Sequence, residues 1–201
     1  MDTTVSSSLP LRVARAVTEV LSPAVVVPLL SFAVAWHATA HDVVATLGWG
    51  LLVTVFYAAI PMAIVVRGAR GGRWDGHWVR ERERRLVPFL LILVSTVAGL
   101  VVMLAGSAPR DVLALAWSMV VTLLACLVIT RWWKVSVHAT VAGGALATVV
   151  LLYGPWYLLS LPALVLVGWS RVVVEDHTVA QVVVGTVLGP VVGGVVFLAI
   201  R

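Results

Sequence analysis

The sequence predicts an all-α fold, a polytopic bundle of about six or seven transmembrane helices, from three observations. First, 61% of the 201 residues are hydrophobic and only 11% are charged, whereas a soluble domain carries about 25% charged residues. Second, the mean hydropathy is +1.07, and the apolar residues form runs of about 20, the length of a spanning helix. Third, the tryptophans mostly lie near the ends of these runs, where interfacial anchors are found.

The apolar runs predict the helices in order along the chain. They are Val20–Ala40, Val43–Val66, Leu86–Gly106, Val112–Thr130, Val135–Tyr153, Trp156–Val174 and Thr178–Ile200. The one substantial polar segment is Arg67–Arg85, so we expect a single membrane-embedded domain over residues 1–201 and no separate soluble domain. Residues 1–66 form N-terminal helices, and residues 80–201 carry the motifs described below. The first dozen residues lack the pattern of a removable signal peptide.

Alternate crossings of the membrane sort the polar residues between two sides, and side A is defined here as the side of the N-terminus. Side A receives Arg12, Arg15, Arg67–Arg85, Arg131–His138 and Arg171–His177. Side B receives His41, Asp42, Arg110, Asp111 and Arg201. The net charge of +5 is therefore loop charge, and a soluble enzyme or a nucleic-acid-binding module is excluded.

Because cytoplasmic loops carry the excess of Lys and Arg, we expect side A to be cytoplasmic. The Ala-, Val- and Leu-rich helices and the high ratio of Arg to Lys suggest a GC-rich bacterial genome, so a bacterial cell membrane is expected.

Glycines predict how two of the helices pack. Gly185, Gly189 and Gly193 recur every four residues in the last helix, and Gly143 with Gly144 lies in the fifth. Small residues let helices approach closely, so this pair would bring together the polar residues at the start of each helix. Homodimerisation through the same glycine stripe is the alternative. Pro190 predicts a kink in the last helix.

Several polar residues are expected to be ordinary interfacial groups. His37, His41 and His77 have no partners at useful spacing in the sequence. Glu175 and Asp176 are expected to be solvated loop charges, with Asp176 as an alternative cap of the last helix.

Three polar clusters on side A carry the residues that suit phosphate chemistry. They are Arg80 to Pro88; Lys134, Ser136 and His138; and Ser170, Arg171, His177 and Gln181. Guanidinium groups bind phosphate oxygens bidentately, and histidine can attack phosphorus or protonate a leaving oxygen near neutral pH. No acidic pair with metal-ligand spacing accompanies these clusters, so charge neutralisation would fall to the arginines and no cofactor is expected.

At these residues the sequence resembles the type 2 phosphatidic acid phosphatase superfamily of membrane lipid phosphatases. That family's third motif is Ser-Arg, five residues, His, three residues, Asp; Ser170, Arg171 and His177 match it, and Gln181 stands at the position of the Asp. Its second motif, Pro-Ser-Gly-His, survives as Ser136 and His138. The core helices of that family's fold are expected with the motifs.

The first motif of the family, Lys, six residues, Arg-Pro, is matched loosely. Arg82 and Arg85 precede Pro88, and Arg80 falls at the position of the Lys. Val135 and Val137 stand where the second motif has Pro and Gly. The resemblance covers roughly Arg80 to the C-terminus.

The resemblance implies a metal-independent dephosphorylation in two steps. His177 would attack phosphorus and form a phosphohistidine, and His138 would protonate the leaving oxygen and then activate water. Arg171, Arg82 and Arg85 would hold the phosphoryl oxygens. Ser136 and Ser170 would belong to the same phosphate site, and Gln181 would orient His177 without a carboxylate's charge. Lys134 is either a snorkelling anchor or a further phosphate contact.

The substrate would be a membrane lipid phosphate, either prenyl- or polyprenyl-linked or a glycerolipid. The choice between a monophosphate and a diphosphate stays open. The alternative from another class is a catalytically silent relative that binds lipid phosphates or acts as a membrane scaffold. Phosphate release from a panel of lipid phosphates separates these two hypotheses.

Overall fold

A computed structural model of the chain describes residues 8–71 and 86–201, and this part consists of helices, turns and short connections, with no strand. The predicted all-α bundle is confirmed. The α-helices are α1 (Leu9–Val20), α2 (Pro23–Ala38), α3 (Val43–Thr54), α4 (Ile60–Arg70), α5 (Leu86–Ala105), α6 (Arg110–Thr130), α7 (Val137–Tyr153), α8 (Leu161–Val173), α9 (Val179–Leu188) and α10 (Val195–Ile200). A π-helical segment, Val55–Ala59, joins α3 to α4, and another, Gly189–Gly194, joins α9 to α10. A 3₁₀-helix, Pro155–Ser160, precedes α8.

Six helical segments of the described chain are long and apolar enough to cross a membrane. They are Leu9–Ala38, Val43–Arg70, Leu86–Ala105, Arg110–Thr130, Pro155–Val173 and Val179–Ile200. Helix α7 is apolar but has only 17 residues, about 25 Å at 1.5 Å per residue. It packs against α2, α8, α9 and the second π-helical segment, and so it lies inside the bundle. Each of the seven predicted apolar runs is therefore mostly helical, and the protein is a polytopic helical membrane protein.

The first predicted span, Val20–Ala40, is wrong at its start. The chain forms α1 first, turns at Leu21 and Ser22, and begins α2 at Pro23. Proline favours the first turn of a helix because it has no N–H to leave unsatisfied. Helix α1 is amphipathic, with Ala14 and Thr18 buried against α8, and a search for long apolar runs cannot detect such a helix.

The bundle has two polar ends, as the alternation of the helices predicts. At the side B end, His37 Nδ1 lies 3.0 Å from Asp111 Oδ2, and Arg201 Nε lies 3.8 Å from Asp111 Oδ1. At the side A end, the Thr18 hydroxyl donates to the Ser170 hydroxyl at 3.1 Å. The expectation that His37 has no partner is therefore wrong, because the end of α2 meets the start of α6.

Glycines bring α7 and α9 into backbone contact, as predicted. A Cβ atom at Gly185 would lie 2.6 Å from the carbonyl oxygen of Ser136, and a Cβ atom at Gly143 would lie 2.6 Å from that of Thr186. A Cβ atom at Gly189 would overlap the chain at Thr140. The N-terminal ends of the two helices consequently lie side by side.

The glycine stripe is covered within the chain. Gly185 and Gly189 face α7, and a Cβ atom at Gly193 would lie 3.1 Å from Thr122 Oγ1 of α6. A homodimer formed through Gly185, Gly189 and Gly193 would require these helices to separate first.

The second π-helical segment lies at the proline for which a kink is predicted. Pro190 is the second residue of Gly189–Gly194. Proline removes a backbone donor from a helix, and a π-helical turn is one of the few ways in which a helix accommodates such a break.

Replacing Gly189 by alanine should destabilise the protein by about 1–3 kcal/mol, because the new methyl group meets the backbone of α7 rather than a movable side chain. Gly48→Ala is the matched control, since a Cβ atom at Gly48 in α3 has no atom within 4 Å. Thermal unfolding of the detergent-solubilised variants measures the difference. Equal stabilities for the two variants would contradict this helix packing.

Candidate functional site

A cavity of about 150 Å³ at the side A end of the bundle brings together three of the predicted site residues. His138 from α7, Arg171 from α8 and His177 from the turn before α9 all line it. All three side chains are buried. The remaining lining is mostly apolar and comes from α2, α4, α5, α7 and the first π-helical segment. Residues far apart in the chain thus form one small, partly polar site.

Ser136 fixes the start of α7, the helix that carries His138. Its hydroxyl accepts a hydrogen bond from the Ala139 N–H at 3.4 Å, which makes it the N-cap. Its own N–H donates to the carbonyl oxygen of Gln181 at 3.3 Å, and so it ties the two helix starts together. Ser136 is fully buried and is not among the residues that line the cavity.

A tight turn between α8 and α9 shapes the other half of the site. Glu175 has a φ of 59°, a left-handed conformation that reverses the chain. The N–H of His177 donates to the carbonyl oxygen of Arg171 at 3.1 Å and closes the turn. Asp176 is thereby directed back toward Arg171.

Arg171 and Asp176 form a buried ion pair. Arg171 Nη2 lies 2.5 Å from Asp176 Oδ2, and the residues are 2% and 5% exposed. Both expectations for Asp176 are therefore wrong: it is not solvated, and the cap of α9 is Thr178. The sequence motifs do not indicate Asp176 as a residue of this site. The one feature that could have indicated it is the presence of an acidic residue in the short segment between Arg171 and His177.

His177 is oriented by Gln181, one turn further along the chain. His177 Nδ1 lies 3.1 Å from Gln181 Oε1, and the same oxygen accepts the Thr178 N–H at 3.3 Å. Because this oxygen is an acceptor, the hydrogen bond requires the proton on Nδ1, and in the neutral ring Nε2 is then the basic nitrogen. Thr178 and Gln181 also form a capping box at the start of α9.

Lys134 and Ser170 support the turn from two sides. Lys134 Nζ donates a hydrogen bond to the carbonyl oxygen of Asp176. The Ser170 hydroxyl donates to the carbonyl oxygen of Val167 at 2.8 Å and accepts from Thr18 of α1. Thr18 also accepts a bond from Arg171 Nη1 at 3.4 Å. Neither Lys134 nor Ser170 lines the cavity.

The remaining predicted phosphate-binding residues, Arg82 and Arg85, lie outside the described residues. Helix α5 begins at Leu86, directly after them in the sequence. Pro88 and Phe89 of its first turn line the cavity.

The site can hold an anion and move protons. Arg171 supplies positive charge in its lining, and Asp176 neutralises part of that charge. The two histidines can exchange protons near neutral pH. In a poorly solvated site such charges act strongly on a bound anion.

Comparison of the chain with family models, with curated proteins and with solved structures finds no match. The resemblance to the type 2 phosphatidic acid phosphatases accordingly rests on the motif residues.

Asp176→Asn should destabilise the protein by about 3–5 kcal/mol, because Arg171 would keep a buried positive charge without its counter-charge. The neighbouring change Glu175→Gln is the control: Glu175 is exposed, so its effect should stay within about 0.5 kcal/mol. Unfolding in detergent followed by tryptophan fluorescence gives both values. If the two variants were equally stable, the ion pair would have no role in holding the turn.

Proposed function

We propose that the protein is a metal-independent lipid phosphatase that acts on a prenyl- or polyprenyl-linked or glycerolipid phosphate through a phosphohistidine. One observation carries this proposal: His138, Arg171 and His177, from separate segments of the chain, line one cavity at a polar end of a membrane bundle. The resemblance of the motifs to lipid phosphatases supports the same chemistry.

In the first step, Nε2 of His177 attacks phosphorus and the bond between phosphorus and the lipid oxygen breaks. His138, initially protonated, donates its proton to the departing oxygen, so the lipid leaves as a neutral alcohol. The Nδ1–H bond to Gln181 keeps the attacking nitrogen deprotonated. The products of this step are the lipid alcohol and a phosphohistidine at His177.

In the second step, the now neutral His138 takes a proton from a water molecule, whose oxygen attacks the phosphohistidine. The phosphorus–nitrogen bond breaks, and inorganic phosphate leaves. The histidine pair returns to its starting protonation, so no external oxidant, reductant or co-substrate other than water is required.

Positive side chains would stabilise the phosphoryl oxygens in both steps. Arg171 is the nearest candidate, because it lines the cavity and Asp176 fixes the orientation of its guanidinium group. Arg82, Arg85 and Lys134 would add to the positive field. Ser136 would support this phosphate site through the start of α7, and Ser170 through the last turn of α8. Preorganised charge of this kind is the largest contribution in many phosphoryl-transfer sites.

A catalytically silent protein that binds lipid phosphates is the second candidate function. Gln181 favours it, because a neutral amide beside His177 stabilises the positive charge that develops on the imidazole after attack less well than a carboxylate would. The Arg171–Asp176 ion pair favours it too, since part of the arginine's charge is already compensated. Purified protein, assayed for phosphate release from a lipid phosphate panel with and without a chelator, separates the two functions.

His177→Ala should abolish phosphate release, because the site would lose its nucleophile, and His138→Ala should slow it by about 10²–10⁴-fold through loss of the general acid. His41→Asn is the matched control: this histidine lies at the side B end, and asparagine tolerates its left-handed φ of 71°. Release of inorganic phosphate measures all three variants. Full activity of His177→Ala would refute the mechanism.

We further propose that side A, and the site with it, faces the cytoplasm. Apart from the candidate site residues, the arginines of side A outnumber those of side B, and cytoplasmic loops carry this excess. The side A residues include Arg12, Arg15, Arg67, Arg70 and Arg73, and the side B residues are Arg110 and Arg201. A cytoplasmic site favours lipid phosphates made on the inner leaflet.

Single cysteines should report this orientation in intact cells, after Cys126→Ala removes the only native thiol. Gly71→Cys follows α4 on side A, and Ser107→Cys lies between α5 and α6 on side B. A membrane-impermeant maleimide should label Ser107→Cys and spare Gly71→Cys until the cells are opened. The reverse labelling would contradict the proposed orientation.

A further inference from the structure

Helix α1 presents two chemically different faces away from the bundle. Its inner face packs on α8, with Ala14 and Thr18 buried. An exposed apolar stripe runs along a second side of the helix, and exposed polar residues run along a third. The stripe consists of Leu9, Val13, Ala16 and Val20, and the polar face consists of Arg12, Arg15 and Glu19. Residues three or four apart share one side of a helix, so each set forms a continuous line.

The apolar stripe requires an apolar environment, which a membrane supplies. Leu9 is 73% exposed and Val20 is 63% exposed, and contact of such side chains with water costs free energy in proportion to their area. Helix α8, on which α1 packs, belongs to the membrane-crossing segment Pro155–Val173 and exposes apolar side chains of its own. The stripe therefore adjoins a surface that faces lipid.

The connection to α2 places α1 at the membrane boundary on side A. Only Leu21 and Ser22 separate α1 from Pro23, the first residue of α2, so α1 cannot move far from the start of that helix. Helix α2 has 16 residues, about 24 Å at 1.5 Å per residue, whereas the hydrocarbon core is about 30 Å thick. The start of α2 consequently lies close to the boundary between acyl chains and headgroups.

A helix at this boundary meets hydrocarbon on one side and headgroups and water on the other. The apolar stripe suits the hydrocarbon, and the polar face suits the headgroups. Arg12 and Arg15 are exposed and lie one turn apart, and Glu19 offsets only one of their two charges. Guanidinium groups bind phosphate oxygens bidentately, so this face is complementary to anionic lipid headgroups.

We propose that α1 lies in the membrane interface on side A, with its apolar stripe in the hydrocarbon and with Arg12 and Arg15 bound to anionic lipid headgroups. This inference goes beyond the proposed phosphatase activity and does not depend on it. Thr18 of the same helix donates a hydrogen bond to Ser170 and accepts one from Arg171. The lipid surface would thereby support the side A cavity through α1.

The depth of α1 is tested with the full chain in bilayer discs, in a Cys126→Ala background. A bimane fluorophore is attached at Val13→Cys, on the apolar stripe, or at Glu19→Cys, on the polar face. Phosphatidylcholine with brominated acyl chains should quench the Val13→Cys fluorophore about twofold more strongly than the Glu19→Cys fluorophore, and aqueous iodide should give the reverse order. Equal quenching of the two fluorophores by either agent would overturn the inference.

The Val13→Cys fluorophore also reports which lipids gather beside α1. In phosphatidylcholine discs, brominated phosphatidylglycerol should quench it about 5-fold more effectively than the same fraction of brominated phosphatidylcholine, because the arginines enrich the anionic lipid locally. Arg12→Gln combined with Arg15→Gln should bring this ratio close to unity. Arg12→Lys combined with Arg15→Lys should retain most of it, because the charge is kept.

Arg67→Gln combined with Arg70→Gln is the matched control. These arginines are exposed at the end of α4, so the control removes the same charge from the same side but from another helix. It should preserve the enrichment beside α1. Enrichment that survives the loss of Arg12 and Arg15, or that disappears in the control, would show that these two residues do not bind the lipid. Phosphate release is measured separately, and its absence would leave the inference intact because lipid enrichment needs no turnover.

Discussion

The close approach of α7 and α9 is the contact on which the rest of the site depends. Glycine at positions 143, 185 and 189 lets the two backbones meet, and any side chain there would collide with a carbonyl group or a neighbouring helix. Because both helices begin at the same end of the bundle, this contact sets His138 beside His177. The bond from the Ser136 N–H to the Gln181 carbonyl oxygen fixes the relative height of the two helix starts.

The buried charge of the turn between α8 and α9 is the second constraint. A membrane bundle offers little water to an ionic group, so Arg171 is retained only with strong partners. Asp176 supplies the counter-charge, Thr18 accepts a further hydrogen bond, and Lys134 holds the turn through a backbone oxygen. The amphipathic helix α1 therefore contributes to the site although it carries none of the motif residues.

Polarity differs between two neighbouring cavities of the bundle that share part of their lining. The cavity lined by His138, Arg171 and His177 contains two imidazoles and a guanidinium group, whereas its neighbour, of about 190 Å³, is mostly apolar. This arrangement suits an amphiphile with an anionic head and a hydrocarbon chain. The same arrangement would serve a protein that only binds such a molecule; under the proposed function, turnover would depend on whether an amide at Gln181 is sufficient to support the charge on His177.

Hydropathy alone determined that this chain is a helical membrane bundle, because crossing a bilayer requires long apolar runs, a property that is local in sequence. Motif spacing selected His138, Arg171 and His177, and the structure brings them to one cavity. Only the tertiary structure decided that Asp176 is buried, since its position depends on a left-handed turn and on the guanidinium it meets. The same holds for the place of α1 beside α8. Whether a polar group is buried, paired or left facing a cavity depends on contacts between distant segments, and no local pattern encodes those contacts.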